Sequence, residues 1–239
     1  MEPSSAVRKI SDFVLLNVVP NAHLLDVGAG RAEIAALLKE SGVNVTAIDR
    51  SRNSIDLART HGVDVVYADI GRFKTTARFD AVLLSMVAHH VHPLAAAFDS
   101  VRLLLKPGGK LVIEDFGVED ADDATAAWYY HTLATLGATQ QVADDPLLVG
   151  AVGEPLKEWW REHGDEHHPF NRGEAILAAV RERFEVLHVE RGPYFYRYLA
   201  DRIAEHTGVD HGAALFDLEQ RLIAGGRIKA LGLRIVAVR

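Results

Sequence analysis

The segment at residues 23–33 constrains the fold of this chain more than any other feature. An apolar run ends at Asp26-Val27, glycines follow at positions 28 and 30, and an Ala- and Leu-rich run begins at Ala32. Glycines at a strand-to-helix turn let backbone N–H groups approach a ligand closely. A dinucleotide site would carry a third glycine where this chain has Glu33, and the Asp26 carboxylate would repel a diphosphate. The turn therefore favours a nucleoside-like, cationic ligand.

Short apolar runs rich in β-branched residues alternate with helical runs through the first half of the chain. The pattern predicts strands at residues 24–27, 43–48, 63–68, 81–85 and 110–116, and helices at residues 4–19, 32–41, 54–61 and 93–105. Gly42, Gly62 and Gly108 stand where helix ends belong. Near-continuous apolar strands between helices predict a parallel sheet that is covered on both faces.

The second half of the chain changes character after residue 117. A helical stretch rich in Trp and Tyr covers residues 118–170, and two β-like runs at residues 184–198 and 228–239 flank a helical stretch at 199–224. We therefore predict an α/β fold: a doubly wound, mostly parallel seven-stranded sheet with an antiparallel C-terminal edge pair and a helical cap. We expect a single domain over residues 1–239. Its core would take residues 20–117 and 171–239, and cap insertions at about 118–170 and 199–226 would lie over the carboxyl ends of the strands.

The composition narrows the class of partner. The 239 residues carry a net charge of −7 and no cysteine, which disfavours nucleic acid and removes disulfides and thiolate chemistry. No run approaches the roughly 18 apolar residues that a membrane span requires. We expect a cytoplasmic protein with a small-molecule partner and with neither a nucleic-acid nor a membrane partner. The sequence leaves the oligomeric state open, a homodimer included.

Ligands bind doubly wound sheets outside the carboxyl ends of the strands. Asp49 ends the second predicted strand, where its carboxylate would accept two ribose hydroxyls. Asp69 ends the third, where it would accept from an adenine amino group, and Met86 follows the fourth, where it would pack on a ring. The alternative is that both acids cap helices or turns. The predicted cofactor residues are Asp26, Gly28, Ala29, Gly30, Arg31, Asp49, Arg50, Asp69, Ile70, Ser85 and Met86.

Taken in order, these motifs resemble those of class I S-adenosylmethionine-dependent methyltransferases, in the small-molecule branch that includes quinone and natural-product enzymes. Asp26-Val27-Gly28-Ala29-Gly30 is similar to the first motif of that family, Asp49 to its ribose acid and Ala68-Asp69-Ile70 to its adenine motif. Residues 79–82 and 105–111 resemble its fourth strand and the turn into its fifth. The resemblance covers about residues 20–116. It implies S-adenosyl-L-methionine as the cofactor, with its methionine end facing Asp26 and the glycine turn.

Methyl transfer to a hydroxyl needs a general base, because alcohols and phenols keep their proton in water. His89 and His90 follow the fourth predicted strand near the expected methyl position and are the catalytic candidates, with Asp115 as a second choice. The alternative is that the histidines line the cofactor wall or cap the next helix and that Asp115 faces solvent. Members of the resembling family that methylate planar nitrogen carry Asn or Asp followed by Pro-Pro-Tyr after the fourth strand. The run Ser85-Met86-Val87-Ala88 at that place favours oxygen, carbon or aliphatic nitrogen.

The cap region is expected to select the acceptor. Tyr194, Tyr196 and Tyr198 alternate along a predicted strand and would share one face, opposite Phe195 and Arg197. Such a face would help to line an apolar pocket for an aromatic or terpenoid-sized molecule. The alternative is that the aromatic residues pack the cap onto the sheet. The predicted substrate-binding residues are Trp128, Trp160, His168, Tyr194 and Tyr196.

Residues 162–168 contain Glu, Asp and His in a row, but a metal site needs ligands that converge from defined positions, and we expect no metal. The sequence therefore predicts a methyltransferase that acts on a small hydrophobic acceptor, preferably at oxygen or carbon. One alternative is a methyltransferase-like scaffold that binds the cofactor without transferring a methyl group. Another is a nicotinamide oxidoreductase, which Glu33 and Asp26 disfavour.

Overall fold

A seven-stranded sheet forms the centre of the computed structural model, which describes residues 3–143, 145, 148–163 and 170–239. The strands are β1 (His23–Val27), β2 (Asn44–Asp49), β3 (Val65–Tyr67), β4 (Phe79–Ser85), β5 (Leu105–Phe116), β6 (Glu185–Gly192) and β7 (Gly232–Val238). They lie in the order β3-β2-β1-β4-β5-β7-β6. The first five pair in parallel, and β7 runs antiparallel between β5 and β6. The predicted fold class is confirmed.

Helices cover both faces of this sheet. They are α1 (Ser5–Leu15), α2 (Glu33–Glu40), α3 (Arg52–Ala58), α4 (Leu94–Leu104), α5 (Asp123–Ala138), α6 (Leu148–Gly153), α7 (Pro155–His163), α8 (Gly173–Arg181), α9 (Tyr196–Thr207) and α10 (Gly212–Ala224). Val14 of α1 and Leu38 of α2 pack on one face, and Phe98 of α4 and Ile176 of α8 pack on the other. Within the described ranges, no helix is both long and apolar enough to cross a membrane.

A second apolar cluster lies beyond the end of β5. It joins Phe116 of that strand to side chains of α5, α7 and α9, among them Tyr130, Trp159 and Leu199. Because every one of these side chains is almost fully buried, the helices α5 and α7 are anchored to the sheet by aromatic packing. The cap therefore has its own core at the carboxyl edge of the strands.

The predicted strand over residues 184–198 is wrong in its second half. Strand β6 ends at Gly192, and α9 begins at Tyr196. Pro193 has no N–H with which to continue a ladder, and the next three N–H groups donate to the side chain of Glu219 instead of to a strand. The predicted helical stretch at residues 199–224 is two helices, because Gly208 ends α9 with a φ of +75°.

Candidate active site

A cavity of about 260 Å³ opens beside the carboxyl ends of the parallel strands. Its walls come from the ends of β1, β2 and β3 and from the chain that follows β4. Six of the predicted cofactor residues line it: Gly28, Asp49, Arg50, Asp69, Ile70 and Met86. The other five predicted residues are outside its described walls: Asp26, Ala29, Gly30, Arg31 and Ser85.

The glycine turn after β1 is held against β2 by its own backbone. The N–H groups of Gly28 and Ala29 both donate to the carbonyl of Ile48, at 2.8 and 3.1 Å. Gly28 has a φ of +69°, and a Cβ atom there would clash with the methyl groups of Val87. Gly30 has a φ of +56°, but a Cβ atom there would meet no protein atom within 4 Å. The turn therefore presents bare backbone to open space, as a closely bound ligand requires.

The Asp49 carboxylate organises this turn. One of its oxygens accepts from the Gly30 N–H at 2.8 Å, and the other accepts from the Ser51 N–H at 2.7 Å. Each carboxylate oxygen has a second lone pair, so two acceptor positions remain for neighbouring hydroxyls. The capping alternative for Asp49 is wrong, because Ser51 is the N-cap of α3 and accepts from the Ser54 N–H.

Asp69 closes a turn, as the alternative interpretation of the sequence expects, and it also lies at the cavity. It lines the cavity, and one of its carboxylate oxygens accepts from the Gly71 N–H at 2.8 Å, which closes a turn. The second oxygen is not used in this turn. An acid at this position can therefore close the loop after β3 and still accept from a ligand amino group.

Asp26 carries a buried carboxyl that no described residue hydrogen-bonds through its side chain. Only 3% of the residue is exposed. Burial, and after it the charge of the neighbouring Asp49 carboxylate, together raise the pKa of this carboxyl to about 7. An ionised carboxylate in such a place is stabilised by a nearby cation. A cation placed beside Asp26 would therefore stabilise its ionised form.

The chain after β4 connects the cavity to the cap. Met86 has a φ of +54°, a left-handed conformation that costs a non-glycine residue about 1–3 kcal/mol. Its N–H donates to the Glu114 carbonyl at 2.7 Å, and its side chain lines the cavity and packs on the aromatic cluster of the cap. The hydroxyl of Ser85 donates to the Glu114 carboxylate at 3.2 Å.

His89 and Asp115 form a buried pair at the ends of β4 and β5. The Nδ1 atom of His89 lies 2.8 Å from one Asp115 oxygen, and the His89 backbone N–H donates to the other at 3.2 Å. The alternative that Asp115 faces solvent is wrong, because its side chain is completely buried. A carboxylate only accepts hydrogen bonds, so Nδ1 carries the proton and Nε2 keeps the free lone pair.

His90 occupies a different environment from His89, although their ring centroids lie 4.1 Å apart. It lines the first cavity. Burial in the first place, and then electrostatic interactions with neighbouring groups that include Arg50, together lower the pKa of His90 to about 4. His90 is therefore a neutral imidazole at neutral pH and holds an added proton poorly.

A second cavity, of about 200 Å³, lies under the cap between α5, α7 and α9. It is lined by Tyr129, Trp159, Glu162, His163, Tyr194, Phe195 and Tyr198. Among the predicted substrate residues, Tyr194 lies in its described walls. Trp128 packs behind the wall, with its ring 5.9 Å from that of Phe195.

The structure places the other predicted substrate residues elsewhere. Tyr196 is buried against Phe216 of α10, with ring centroids 5.1 Å apart, because α9 turns it away from Tyr194. Trp160 is 38% exposed, and it is Trp159 that enters the aromatic cluster. The remaining candidate, His168, lies outside the described residues.

Helix α7 supplies cavity residues that are not among those predicted from the sequence. Trp159, Glu162 and His163 stand at positions i, i+3 and i+4 and so share one face of the helix. The Nδ1 atom of His163 lies 2.9 Å from the Trp159 carbonyl, to which it donates, and the two rings stack at 3.7 Å. Burial lowers the pKa of His163. Its Nε2 atom is therefore an acceptor at the cavity wall.

Two phenylalanine rings join the His89–Asp115 pair to the second cavity. The Phe116 ring lies 4.9 Å from the ring of His89 and 6.1 Å from that of His163. The Phe170 ring lies 5.0 and 6.2 Å from the same two histidines. His89 itself is outside the described walls of both cavities. Its ring contacts His90, which lines the first cavity, and it is linked to the second cavity through Phe116 and Phe170.

A buried ion pair ties α9 to β5 beneath this region. The Arg197 guanidinium donates to both oxygens of Glu114, and both side chains are at most 8% exposed. The guanidinium also lies 5.5 Å from the centre of the Tyr194 ring. The pair therefore holds the start of α9, and with it Tyr194, against the carboxyl end of the sheet.

A doubly wound sheet with acids at three strand tips and an aromatic cavity beside them defines a class I methyltransferase architecture. The sequence model described as a methyltransferase domain matches residues 4–189, and the chain belongs to this family. Family membership implies S-adenosylmethionine as the cofactor. The described residues fit it: Gly30 leaves open space at the turn, Asp49 has free acceptor positions, and Asp26 lacks a cation.

Three known proteins illustrate the relationship. A ubiquinone biosynthesis O-methyltransferase of Xylella fastidiosa is 35% identical over 111 residues, which are 43% of this chain and 45% of that protein. The chain thus spans about half the length of this relative. A solved S-adenosylmethionine-dependent methyltransferase from Mesorhizobium loti has a TM-score of 0.58 at 19% identity, covering 98% of this chain and 99% of that one. The cyclase SpnF has a TM-score of 0.61 at 19% identity, covering 98% and 82%. At these identities the two structures show the fold alone.

Proposed function

We propose that this chain transfers a methyl group from S-adenosylmethionine to a small aromatic acceptor, at a hydroxyl oxygen or a ring carbon. The observation that carries the proposal is the buried His89–Asp115 pair, which ring contacts link both to a cavity at the strand tips and to an aromatic cavity under the cap. The first cavity would take the cofactor and the second the acceptor. The curated relative named as an O-methyltransferase supports oxygen as the acceptor atom.

The strand-tip residues would hold the cofactor. Asp49 would accept from the ribose hydroxyls with its free lone pairs, and Asp69 would accept from the adenine amino group. Asp26 would face the cationic methionine end, where its ionised carboxyl gains a partner. When bound, S-adenosylmethionine supplies an activated methyl group on a sulfonium, so the protein has only to orient the acceptor and exclude water.

The second cavity limits the acceptor to a single ring or a molecule of similar size. A cavity of about 150 Å³ holds a benzene ring, and this cavity measures about 200 Å³. Tyr129, Trp159 and Phe195 give it flat apolar walls, while the His163 Nε2 atom would accept from a polar substituent. The acceptor is therefore expected to be an aromatic ring that carries at least one hydroxyl group.

His89 is the proposed general base. The Asp115 carboxylate fixes its tautomer and stabilises the imidazolium that forms when Nε2 takes the proton of the acceptor hydroxyl. His90 and His163 have lowered pKa values, and neither ring is hydrogen-bonded to a carboxylate among the described residues, so both take up a proton less readily than an ordinary imidazole. Asp115 would act as the residue that orients the base.

Methyl transfer from tritium-labelled S-adenosylmethionine to single-ring phenols, with catechol as the first probe, tests the proposal. We expect label in the phenol fraction, and His89→Ala to lower turnover by about 100-fold or more with S-adenosylhomocysteine affinity unchanged. His163→Ala is the matched control, because it removes a neighbouring histidine without touching the base; it should raise the acceptor KM and leave the base in place. Full turnover in His89→Ala would contradict the assignment.

The same assay separates this proposal from the scaffold alternative. A chain that binds S-adenosylhomocysteine tightly but transfers no label to any phenol would favour a scaffold that uses the cofactor for another purpose. The likeness to the cyclase SpnF concerns the fold and gives no reason to prefer that alternative. The buried base beside an acceptor cavity favours transfer.

A further inference from the structure

Glu219 on α10 is a fully buried carboxylate that lies outside the described walls of both cavities. It accepts hydrogen bonds from the backbone N–H groups of three consecutive residues: Tyr194 at 2.7 Å, Phe195 at 3.1 Å and Tyr196 at 2.8 Å. These groups lie at the N-terminus of α9, where N–H groups have no partner within the helix. A side chain from a different helix therefore caps α9.

Two of the residues that Glu219 holds are walls of the second cavity. Tyr194 and Phe195 both line it, and the Tyr194 hydroxyl lies 2.9 Å from that of Tyr198, one turn further along α9. The Phe195 ring stacks on Tyr129 at 4.4 Å. The carboxylate thus fixes the backbone that carries two of the side chains lining the cavity.

We propose that Glu219 is a positioning residue for the acceptor, acting through the backbone of Tyr194 and Phe195. This inference rests on the proposed function, in which the second cavity takes the acceptor. Without the carboxylate, three buried N–H groups lose their partner, and the segment after Pro193 must move to find new ones. The strand-tip cavity shares none of its described walls with this segment. We therefore expect the loss of the Glu219 carboxylate to leave the affinity for the cofactor unchanged.

The test compares three variants. Glu219→Ala removes all three acceptor positions. Glu219→Gln keeps one oxygen that can accept from the backbone, but its NH₂ group faces a backbone donor and cannot accept. It therefore keeps only part of the hydrogen bonding. Asp217→Asn is the matched control, because it removes one carboxylate from the exposed side of the same helix. Calorimetry measures binding of catechol and of S-adenosylhomocysteine, and hydrogen exchange follows the amides of residues 194–196.

We expect catechol affinity to fall about threefold in Glu219→Gln and about tenfold in Glu219→Ala, the latter corresponding to one lost hydrogen bond. Exchange at residues 194–196 should accelerate in the same order, while S-adenosylhomocysteine affinity stays within about twofold and Asp217→Asn matches the wild type. If Glu219→Ala does not fold, the catechol affinity of Glu219→Gln decides whether the inference holds.

Unchanged catechol affinity in the folded Glu219 variants, or an equal loss of affinity for both ligands, would overturn the inference. A wild-type chain that binds catechol without methylating it would contradict the proposed function but leave this comparison intact. A wild-type chain that does not bind catechol would overturn the assignment of the cavity and the inference with it.

Discussion

Asp26 has a buried carboxyl to which no described residue donates a hydrogen bond. Replacing Asp26 with asparagine tests whether the buried charge lowers stability and favours a cationic ligand. The pKa of this carboxyl is raised from an ordinary value of 3.8 to about 7. Keeping this carboxyl ionised in the folded chain therefore costs about 4 kcal/mol. Because the folded pKa lies above the unfolded one, the protonated carboxyl stabilises the fold below pH 3.8. That contribution is lost as the pH rises to about 7.

Asp26→Asn is expected to be more stable than the wild type at pH 8 in the absence of ligand. The neutral amide avoids the cost of about 4 kcal/mol but leaves buried polar groups unpaired, which takes back about 1–3 kcal/mol. The net gain is about 1–3 kcal/mol at pH 8 and vanishes or reverses at pH 5, where the wild-type carboxyl is protonated. Urea denaturation at the two pH values measures this difference.

The same substitution should reduce discrimination between two cofactor forms. S-adenosylmethionine carries a sulfonium charge and S-adenosylhomocysteine does not, so an ionised Asp26 favours the first. We expect the affinity ratio of the two ligands to fall about tenfold in Asp26→Asn at pH 8. Asp64→Asn, an exposed acid outside the cavity, is the control. A less stable Asp26→Asn at pH 8, or an unchanged affinity ratio, would refute the reasoning.

Two further predictions concern the strand-tip cavity. Asp49→Ala should weaken S-adenosylhomocysteine binding by about 1–3 kcal/mol in calorimetry, because it removes the acceptors for the ribose and the bond to the Gly30 N–H; unchanged affinity would contradict the assignment. Gly28→Ala should lower both the melting temperature and ligand affinity, because its Cβ meets Val87. Gly30→Ala should lose affinity with a smaller effect on melting, because its Cβ enters open space. Equal melting losses in the two glycine variants would argue against this difference.

The sheet and its ligand-binding edge were predictable from the sequence because they depend on local patterns. Apolar runs alternate with helical runs, and in a doubly wound sheet the residue after each strand lies at the same edge. Chain order alone therefore predicts that Asp49, Asp69 and Met86 meet, and these residues line one cavity. The burial of Asp26 follows from its place inside β1, a central strand between β2 and β4. Its raised pKa was not predictable, because it also depends on the position of the neighbouring Asp49 carboxylate.

The second cavity was less predictable because side-chain direction there depends on long-range contacts. The alternation of Tyr194, Tyr196 and Tyr198 suggests a strand, but Glu219, more than 20 residues away, caps a helix at that place. Adjacent Trp159 and Trp160 differ only in which face of α7 they occupy. The pairing of His89 with Asp115 likewise follows from the neighbouring positions of β4 and β5 in the sheet.

The central claim is that the strand-tip acids bind a cationic sulfur nucleoside and not a diphosphate. Calorimetric titration of the purified chain with S-adenosylmethionine, and separately with NAD, tests it most directly. The account predicts saturable binding of S-adenosylmethionine that weakens as the pH falls below about 7, where Asp26 takes up a proton, and no binding of NAD. Binding of NAD as tight as that of S-adenosylmethionine, or tighter, would contradict it.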